Sequence, residues 1–358
     1  MFRVLVVLVL ATVAAGASSA PRAASPCFDG AIVSLRSGVT LHRYHARDGG
    51  LVRASATRVP VLPGEDAVAD GNGGWYISGF GLARLRGDGQ LDTSWHPPLR
   101  RHLALWTLAR AGGRLFVSDG QRVYAVEERS GNVLWASGTI GGGSMRRIFA
   151  VVATPSTVFV GGAFKRFGSV TRGQLAALSA SSGRVLPWHA PVLKPYTPTT
   201  SRSVQTLALG PGSLYFAGSF SGVGGAARGG GVAAVRLRDG RLTKFAPSAG
   251  TIGTLALAVV HGNALIGGGD IGGVFDAETG KLRHHSSIIG VAIAARGWRA
   301  YVGGNFRNDI GLHNLLAVDV HTGDNLKWFP NIAREVGVAK IALSGDKAFV
   351  GGQFCARL

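Results

Sequence analysis

Histidine, cysteine and the acidic side chains are the residues of this sequence that could do chemistry, and their spacing decides which chemistry is open. Ten histidines are scattered along the chain, and His284-His285 is the adjacent pair. Zinc needs three or four converging donors, and no His-x3-His or Cys/His spacing supplies them, so this pair reads as a packed or solvated strand edge. Asp270, Asp276 and Glu278 fall within nine residues. Oxygen ligands at such spacing can hold calcium, but DIGGVFDAETG does not follow an EF-hand loop, and acids beside glycine commonly cap turns. The glycine-rich AARGGGVAA (226–234) lacks the Gly-Lys-Ser/Thr ending of a phosphate loop, and no G-x-S-x-G elbow is present. The residues therefore point away from catalysis, and no cofactor or metal is expected.

Charge is more informative. Lys and Arg number 38 against 19 Asp and Glu, a formal net charge of +19. From Arg129 to Arg238 there is no acidic residue at all. A surface of one sign attracts anionic partners and steers their encounter. The candidate binding residues are Lys165, Arg166, Arg172, Lys194, Tyr196, Arg202 and Arg228, for a reason that depends on the elements carrying them.

Those elements repeat. An apolar or aromatic strand ending in Gly-Gly-x-Phe, or a degraded form of it, recurs as YISGF (76–80), LFVSDG (115–120), VFVGGAF (158–164), LYFAGSF (214–220), LIGGGD (265–270), YVGGNF (301–306) and FVGGQF (349–354). A turn of the Asp/Ser/Thr-Gly type, leading to a strand that closes on an aromatic, follows as GDGQLDTSW (87–95), RSGNVLW (129–135), SSGRVLPW (181–188), RDGRLTKF (238–245), ETGKLRHH (278–285) and HTGDNLKW (321–328). A weaker copy, RDGGLVRA, spans 47–54. Glycine accepts positive φ in such tight turns. Successive copies of the first landmark lie 36 to 56 residues apart, bracketing the roughly 40–50 residues of a four-stranded propeller blade. The expected fold is all-β: a β-propeller of seven four-stranded blades.

The last blade is expected to be split. VAKIALSGDKAFVGGQFCARL (338–358) supplies first and second strands, and GVTLHRYHARDGGLVRAS (38–55) matches the third and fourth. Joining the two ends removes exposed sheet edges. It also brings Cys27 and Cys355 within reach of a disulfide, which needs about 5.5 Å between α-carbons. Export makes such a bond possible. Arg3, the apolar run Val4 to Ala15 and the small-residue site Ala15-Gly16-Ala17 read as a signal peptide. That run is too short to span a bilayer comfortably, and Pro26 before Cys27 speaks against a lipoprotein. The expected organisation is a signal peptide over 1–17, a linker over 18–26 and one propeller over 27–358, secreted or held in the cell envelope.

DGQLDTSWHP (88–97) and VGGAFKRFGSVTRGQLAAL (160–178) resemble the delta-60 repeat of bacterial propeller proteins. AVEERSGNVLW (125–135) and LAVDVHTGDNLKW (316–328) resemble the tryptophan-docking repeats of propellers related to the pyrroloquinoline-quinone enzymes. Quinoprotein dehydrogenases of that superfamily carry a quinone, calcium and often a disulfide between adjacent cysteines. This chain has no adjacent cysteine pair and counts seven landmarks rather than eight. The resemblance fixes a fold more than a function.

In a propeller blade, the loop from strand two to three and the loop to the next blade open on the same face. Lys165, Arg166, Arg172 and Arg228 lie in two-to-three loops, while Lys194, Tyr196 and Arg202 lie in a long inter-blade loop. Longer loops on a rigid scaffold carry binding sites. The expected function is an exported binding or scaffold protein contacting an anionic envelope polymer or a protein partner. Nucleic acid is disfavoured by export and by the lack of a stacking ladder. The rival reading is a carbohydrate-active or degenerate quinoprotein-type enzyme with its site in the central channel.

Overall fold

The computed structural model describes residues 27–37, 40–44, 52–54, 57–59, 66–79, 81–99, 103–142, 146–197, 201–228, 231–247, 256–268, 272–286, 290–307, 313–328, 330 and 337–355. Every regular element in them is a strand. The first two are β1 (Cys27–Ser34) and β2 (Thr40–Tyr44), followed by a separate hairpin of β3 (Val52–Ala54) and β4 (Thr57–Val59). Blade one is β5 (Asp66–Ala69), β6 (Trp75–Gly79) and β7 (Gly81–Leu85). Blade two is β8 (Thr107–Ala111), β9 (Arg114–Ser118), β10 (Val123–Glu127) and β11 (Val133–Ala136). After the short β12 (Ile140–Gly141) comes blade three, β13 (Arg147–Ala153), β14 (Thr157–Ala163) and β17 (Leu175–Ser179), with β15 (Arg166–Phe167) and β16 (Val170–Thr171) between its last two strands.

The pattern repeats in blade four. The short β18 (Leu193–Lys194) precedes β19 (Ser203–Gly210), β20 (Ser213–Ser219) and β23 (Val232–Arg236), with β21 (Gly222–Val223) and β22 (Ala226–Ala227) inserted. Blade five is β24 (Ala256–Val260), β25 (Asn263–Gly267), β26 (Gly272–Asp276) and β27 (Leu282–Ser286); blade six is β28 (Ala292–Arg296), β29 (Arg299–Arg307), β30 (His313–Asp319) and β31 (Asn325–Leu326). The last sheet joins β32 (Val338–Ser344) and β33 (Lys347–Cys355) to β1 and β2, in the order β2-β1-β33-β32. The first strands touch in sequence, β5, β8, β13, β19, β24, β28 and β32, and β32 touches β5 again. The molecule is an all-β propeller.

Two details differ from expectation. The N-terminal share of the last sheet is β1 and β2, one strand earlier than the expected 38–55; β3 pairs with β4 instead. Cys27 to Ser34 contains no basic residue and faces β33 residue by residue, burying Ala31, Ile32 and Val33, which outweighs the turn-like RDGG further on. In blades one, three and four the fourth strand shrinks to a single bridge, Leu85–Leu91, Leu178–Val185 and Val235–Leu242. In blade three Pro187, which has no N–H to donate, ends the ladder at once.

The landmarks have packing causes. A Cβ on Gly162 would lie 2.3 Å from the Arg147 carbonyl oxygen, and one on Gly218 would lie 2.2 Å from that of Ser203. Both glycines face β-bulges in the first strand, between Ile148 and Ala150 and between Val204 and Thr206. The preceding glycine meets the next blade: a Cβ on Gly161 would lie 2.6 Å from Val204, and one on Gly303 2.2 Å from Val338. The closing tryptophans dock forward. Trp95 Nε1 donates to Glu128 O at 2.9 Å, Trp135 to Ala180 O at 3.1 Å, Trp188 to Arg236 O at 3.3 Å and Trp328 to Ser34 O at 3.3 Å. Blade four closes on Phe245, whose ring has no N–H; there the buried Tyr215 hydroxyl donates to Ala277 O of blade five at 2.6 Å.

Candidate functional site

The loops expected to share one face are hydrogen-bonded to each other. The connection from blade two to three contributes β12, which pairs with β15, and β15 pairs with β16. The connection from blade three to four contributes β18, which pairs with β21, and β21 pairs with β22. Two three-stranded mini-sheets thus stand on one face of blades three and four. They close through Lys165 N to Gly141 O at 2.9 Å and Ser221 N to Lys194 O at 2.8 Å. Phe164, Phe167, Phe220 and Val223 are buried beneath them.

The seven candidate residues divide into two kinds. Lys165, Arg166 and Lys194 are exposed on the mini-sheets, and no carboxylate lies within ion-pair distance of them among the described residues. Arg172 and Arg228 are equivalent positions of the repeat. Arg172 N donates to Lys165 O, and Arg228 N to Ser221 O, seven residues back in each case. Their side chains fold onto the mini-sheet: Arg172 Nη1 reaches Thr171 O at 2.8 Å and Arg228 Nη1 reaches Ala227 O at 2.9 Å. Arg172 Nη2 adds Leu186 O at 2.8 Å. Arg202 Nη1 reaches Leu193 O at 2.9 Å, on the β18 strand. These three arginines brace backbone rather than project freely. Burial pulls the Arg228 guanidinium below its usual value and pushes the Tyr196 phenol up. Tyr196 is 38% exposed, and Val192, two residues before Lys194, is 72% exposed.

The first-strand starts open on this same face. There the Arg147 guanidinium stacks on the Trp106 ring at 3.7 Å, with Phe149 beyond it at 5.8 Å. Sequence reading passed over this pair. The available signal was that Trp106 stands outside both repeat landmarks, so the blade architecture does not account for it.

Cys27 and Cys355 are directly opposed in the β1–β33 ladder. Asp270 and residues 1–26 lie outside the described residues. Asp276 accepts from Glu278 N, Thr279 N and the Thr279 hydroxyl, and pairs with Arg283; these bonds, led by Thr279, hold its carboxyl well below the usual range. His284 takes the docking position of a closing aromatic, since a Cβ on Gly323 of blade six would lie 2.6 Å from its own Cβ.

In overall shape the chain is similar to a computationally designed protein, Ika8, with a TM-score of 0.57 at 13% identity, covering 92% of this chain and 97% of that one. It is similar to the WD40 β-propeller domain of Doa1, with a TM-score of 0.55 at 12% identity over 81% of this chain and 90% of that one. The WD40 domain of Pan2 from Neurospora crassa gives 0.55 at 12% over 81% and 89%. At such identities the likeness concerns the fold alone. No curated protein matches the sequence. The sequence model of the family described as outer membrane protein assembly factor BamB matches residues 93–327, well over half of the chain. With the propeller sheets and the forward-docking tryptophans in place across that same span, the chain belongs to the BamB family.

Proposed function

We propose that this protein is an exported, non-catalytic scaffold of seven blades that docks a protein partner, or an anionic envelope polymer, on the face built by the two mini-sheets. The observation that carries this reading is the fusion of four loops into hydrogen-bonded sheets that hold Lys165, Arg166 and Lys194 in water, without acidic partners among the described residues. A loop fixed this way loses little conformational entropy on binding. Exposed Val192 and Tyr196 beside these cations add apolar anchors, the mixture that carries energy in protein interfaces. The family's description as an outer-membrane assembly factor favours a protein partner in the envelope. Export rests on the signal-peptide pattern of residues 1–17, and no helix among the described residues is long and apolar enough to cross a membrane. The register that opposes Cys27 to Cys355 supports a disulfide between them.

Retention on immobilised dextran sulfate tests the face. The variant Lys165→Glu/Arg166→Glu/Lys194→Glu should elute at clearly lower salt than wild type. Arg241→Glu/Lys281→Glu, on turns at the other end of the strands, should elute with wild type. Exposed charges are screened as the Debye length falls from about 10 Å at 0.1 M to about 3 Å at 1 M. Equal shifts in both variants would show that the charge acts through overall composition and that the face is misassigned.

A further inference from the structure

The opposite face, formed by the one-to-two and three-to-four turns, carries a second and differently built site. A cleft of about 770 Å³ lies between blades four and five. Arg236, Lys244 and Arg283 line it against Asp276 and Glu278, a proportionally smaller basic excess than the 38 to 19 of the whole chain. Asp276 pairs with Arg283, and Arg236 is bound by Asp239 through Nε at 3.1 Å and Nη2 at 3.0 Å. Among the described residues this leaves Ser213, Lys244 and Glu278 as lining side chains without an intramolecular polar partner. Together they offer both donors and acceptors. The His261-Gly262 turn borders the cleft through Gly262. On its other side His261 stacks on Trp298 of blade six, with ring centroids 4.7 Å apart and planes inclined by 19°. His321 meets the same indole edge-on at 5.5 Å. Trp298 nevertheless keeps 48% of its surface exposed. Its position in the β28–β29 turn is outside the repeat landmarks.

We infer that this groove binds a neutral glycan chain, with one sugar ring on Trp298 and the next residues reading Lys244, Glu278 and Ser213 in the cleft. The C–H face of a pyranose is apolar and its rim is hydroxyls, which matches an exposed indole beside the imidazoles of His261 and His321. Two of the three lining cations are held in ion pairs, so the groups left for a ligand, Lys244 and Glu278, are one donor and one acceptor of opposite charge. A hydroxyl-rich ligand can use donors and acceptors alike.

The test uses the mature protein with maltohexaose, cellohexaose and hexa-N-acetylchitohexaose, followed by calorimetry and by tryptophan fluorescence. At least one should bind saturably with Kd of about 0.1–1 mM, a range ordinary for a single aromatic anchor. Trp298→Ala should weaken binding roughly tenfold, and Lys244→Met/Glu278→Gln several-fold, as expected for an anchor and its polar surround. Raising salt from about 0.1 M to 1 M should change little, because the ligand is uncharged. The mini-sheet variant Lys165→Glu/Arg166→Glu/Lys194→Glu should bind the sugar as wild type. The inference is overturned if none of the three sugars binds, if both groove variants bind like wild type, or if the groove instead takes an acidic peptide in a salt-sensitive way that Lys244→Met removes.

Discussion

Arginine serves two purposes on the basic face. Arg166 lies in water, whereas Arg172 donates to two backbone carbonyls, Thr171 O and Leu186 O, and ties the mini-sheet to the outer edge of its own blade. Lysine has no planar fork with which to reach both. Arg172→Lys should therefore lower stability by about 1–3 kcal/mol, the cost of leaving such carbonyls unpaired, while Arg166→Lys should stay within about 0.5 kcal/mol. Urea denaturation of the two variants separates brace from surface charge. Asp276 makes a pH-dependent contribution. Its folded-state pKa is depressed by Thr279 and Arg283, so the stabilisation is full above the unfolded carboxylate value near 4 and is lost as pH falls toward the folded one. The urea midpoint of Asp276→Asn should lie below that of wild type at about pH 7, and the gap should narrow by about pH 2. A gap that stays constant across that range would mean that Asp276 acts through shape rather than charge.

Blades one to four and six are each joined to the next sheet by an aromatic that reaches one of its backbone carbonyls. Trp95 is 5% exposed and its indole N–H meets Glu128 O. Trp95→Phe keeps most of the apolar area and should cost about 1 kcal/mol for the hydrogen bond; Trp95→Ala removes the packing too and should cost about 3–5 kcal/mol. Blade four provides a control by nature. Phe245 supplies the ring and Tyr215 the hydroxyl, their centroids 5.0 Å apart. Tyr215→Phe should then cost about 1–3 kcal/mol, because the Ala277 carbonyl loses its buried donor. Chemical denaturation of the three variants gives the comparison. If Tyr215→Phe is silent, forward docking is an apolar contact with incidental polarity.

At the scale of the whole molecule, the sheet order β2-β1-β33-β32 makes both ends of the described chain part of one blade. A Cys27–Cys355 bond would span almost all of the intervening residues, and a chain-entropy account of so long a loop gives about 5 kcal/mol. Non-reducing mass spectrometry of the protein purified without reductant should find no free thiol. Reduction, or Cys27→Ser/Cys355→Ser, should lower the thermal midpoint by several degrees, and two alkylatable thiols in the unreduced protein would refute the pairing. The same closure sets the two faces apart. On one face the loops of blades three and four are long and free of acids, and on the other lie the ion-paired cleft and Trp298, so a partner on one leaves the other open.

The repeat was legible in sequence because each landmark answers a local steric demand. Gly161-Gly162 is needed where a bulge and a neighbouring blade both crowd the strand, and the turn-glycine-aromatic run is needed where a ring meets the next turn. The bulge recurs in blades three and four and in the last sheet, and the docking ring in most blades, so the seven copies announced the class. The loop phase was legible for the same reason, since strand direction fixes which loops share a face. The split blade was placed one strand late because RDGGLVRA looks like a turn, whereas RSG at 36–38 leads into the strand that pairs; only long-range pairing with β33 chooses between two local candidates. The mini-sheets, the bracing of Arg172, Arg202 and Arg228, and the meeting of Trp106 with Arg147 were not legible. The mini-sheets and the Trp106–Arg147 contact join segments from different blades or connections, and whether an arginine faces water or a carbonyl, even one next to it in sequence as for Arg172 and Arg228, depends on the backbone shape the fold imposes. The sequence by itself determined the repeating strand and its tight turns, which are set by neighbours along the chain. Tertiary structure alone decided the register of the last sheet and which cations remain free to bind, because both depend on residues far apart in sequence.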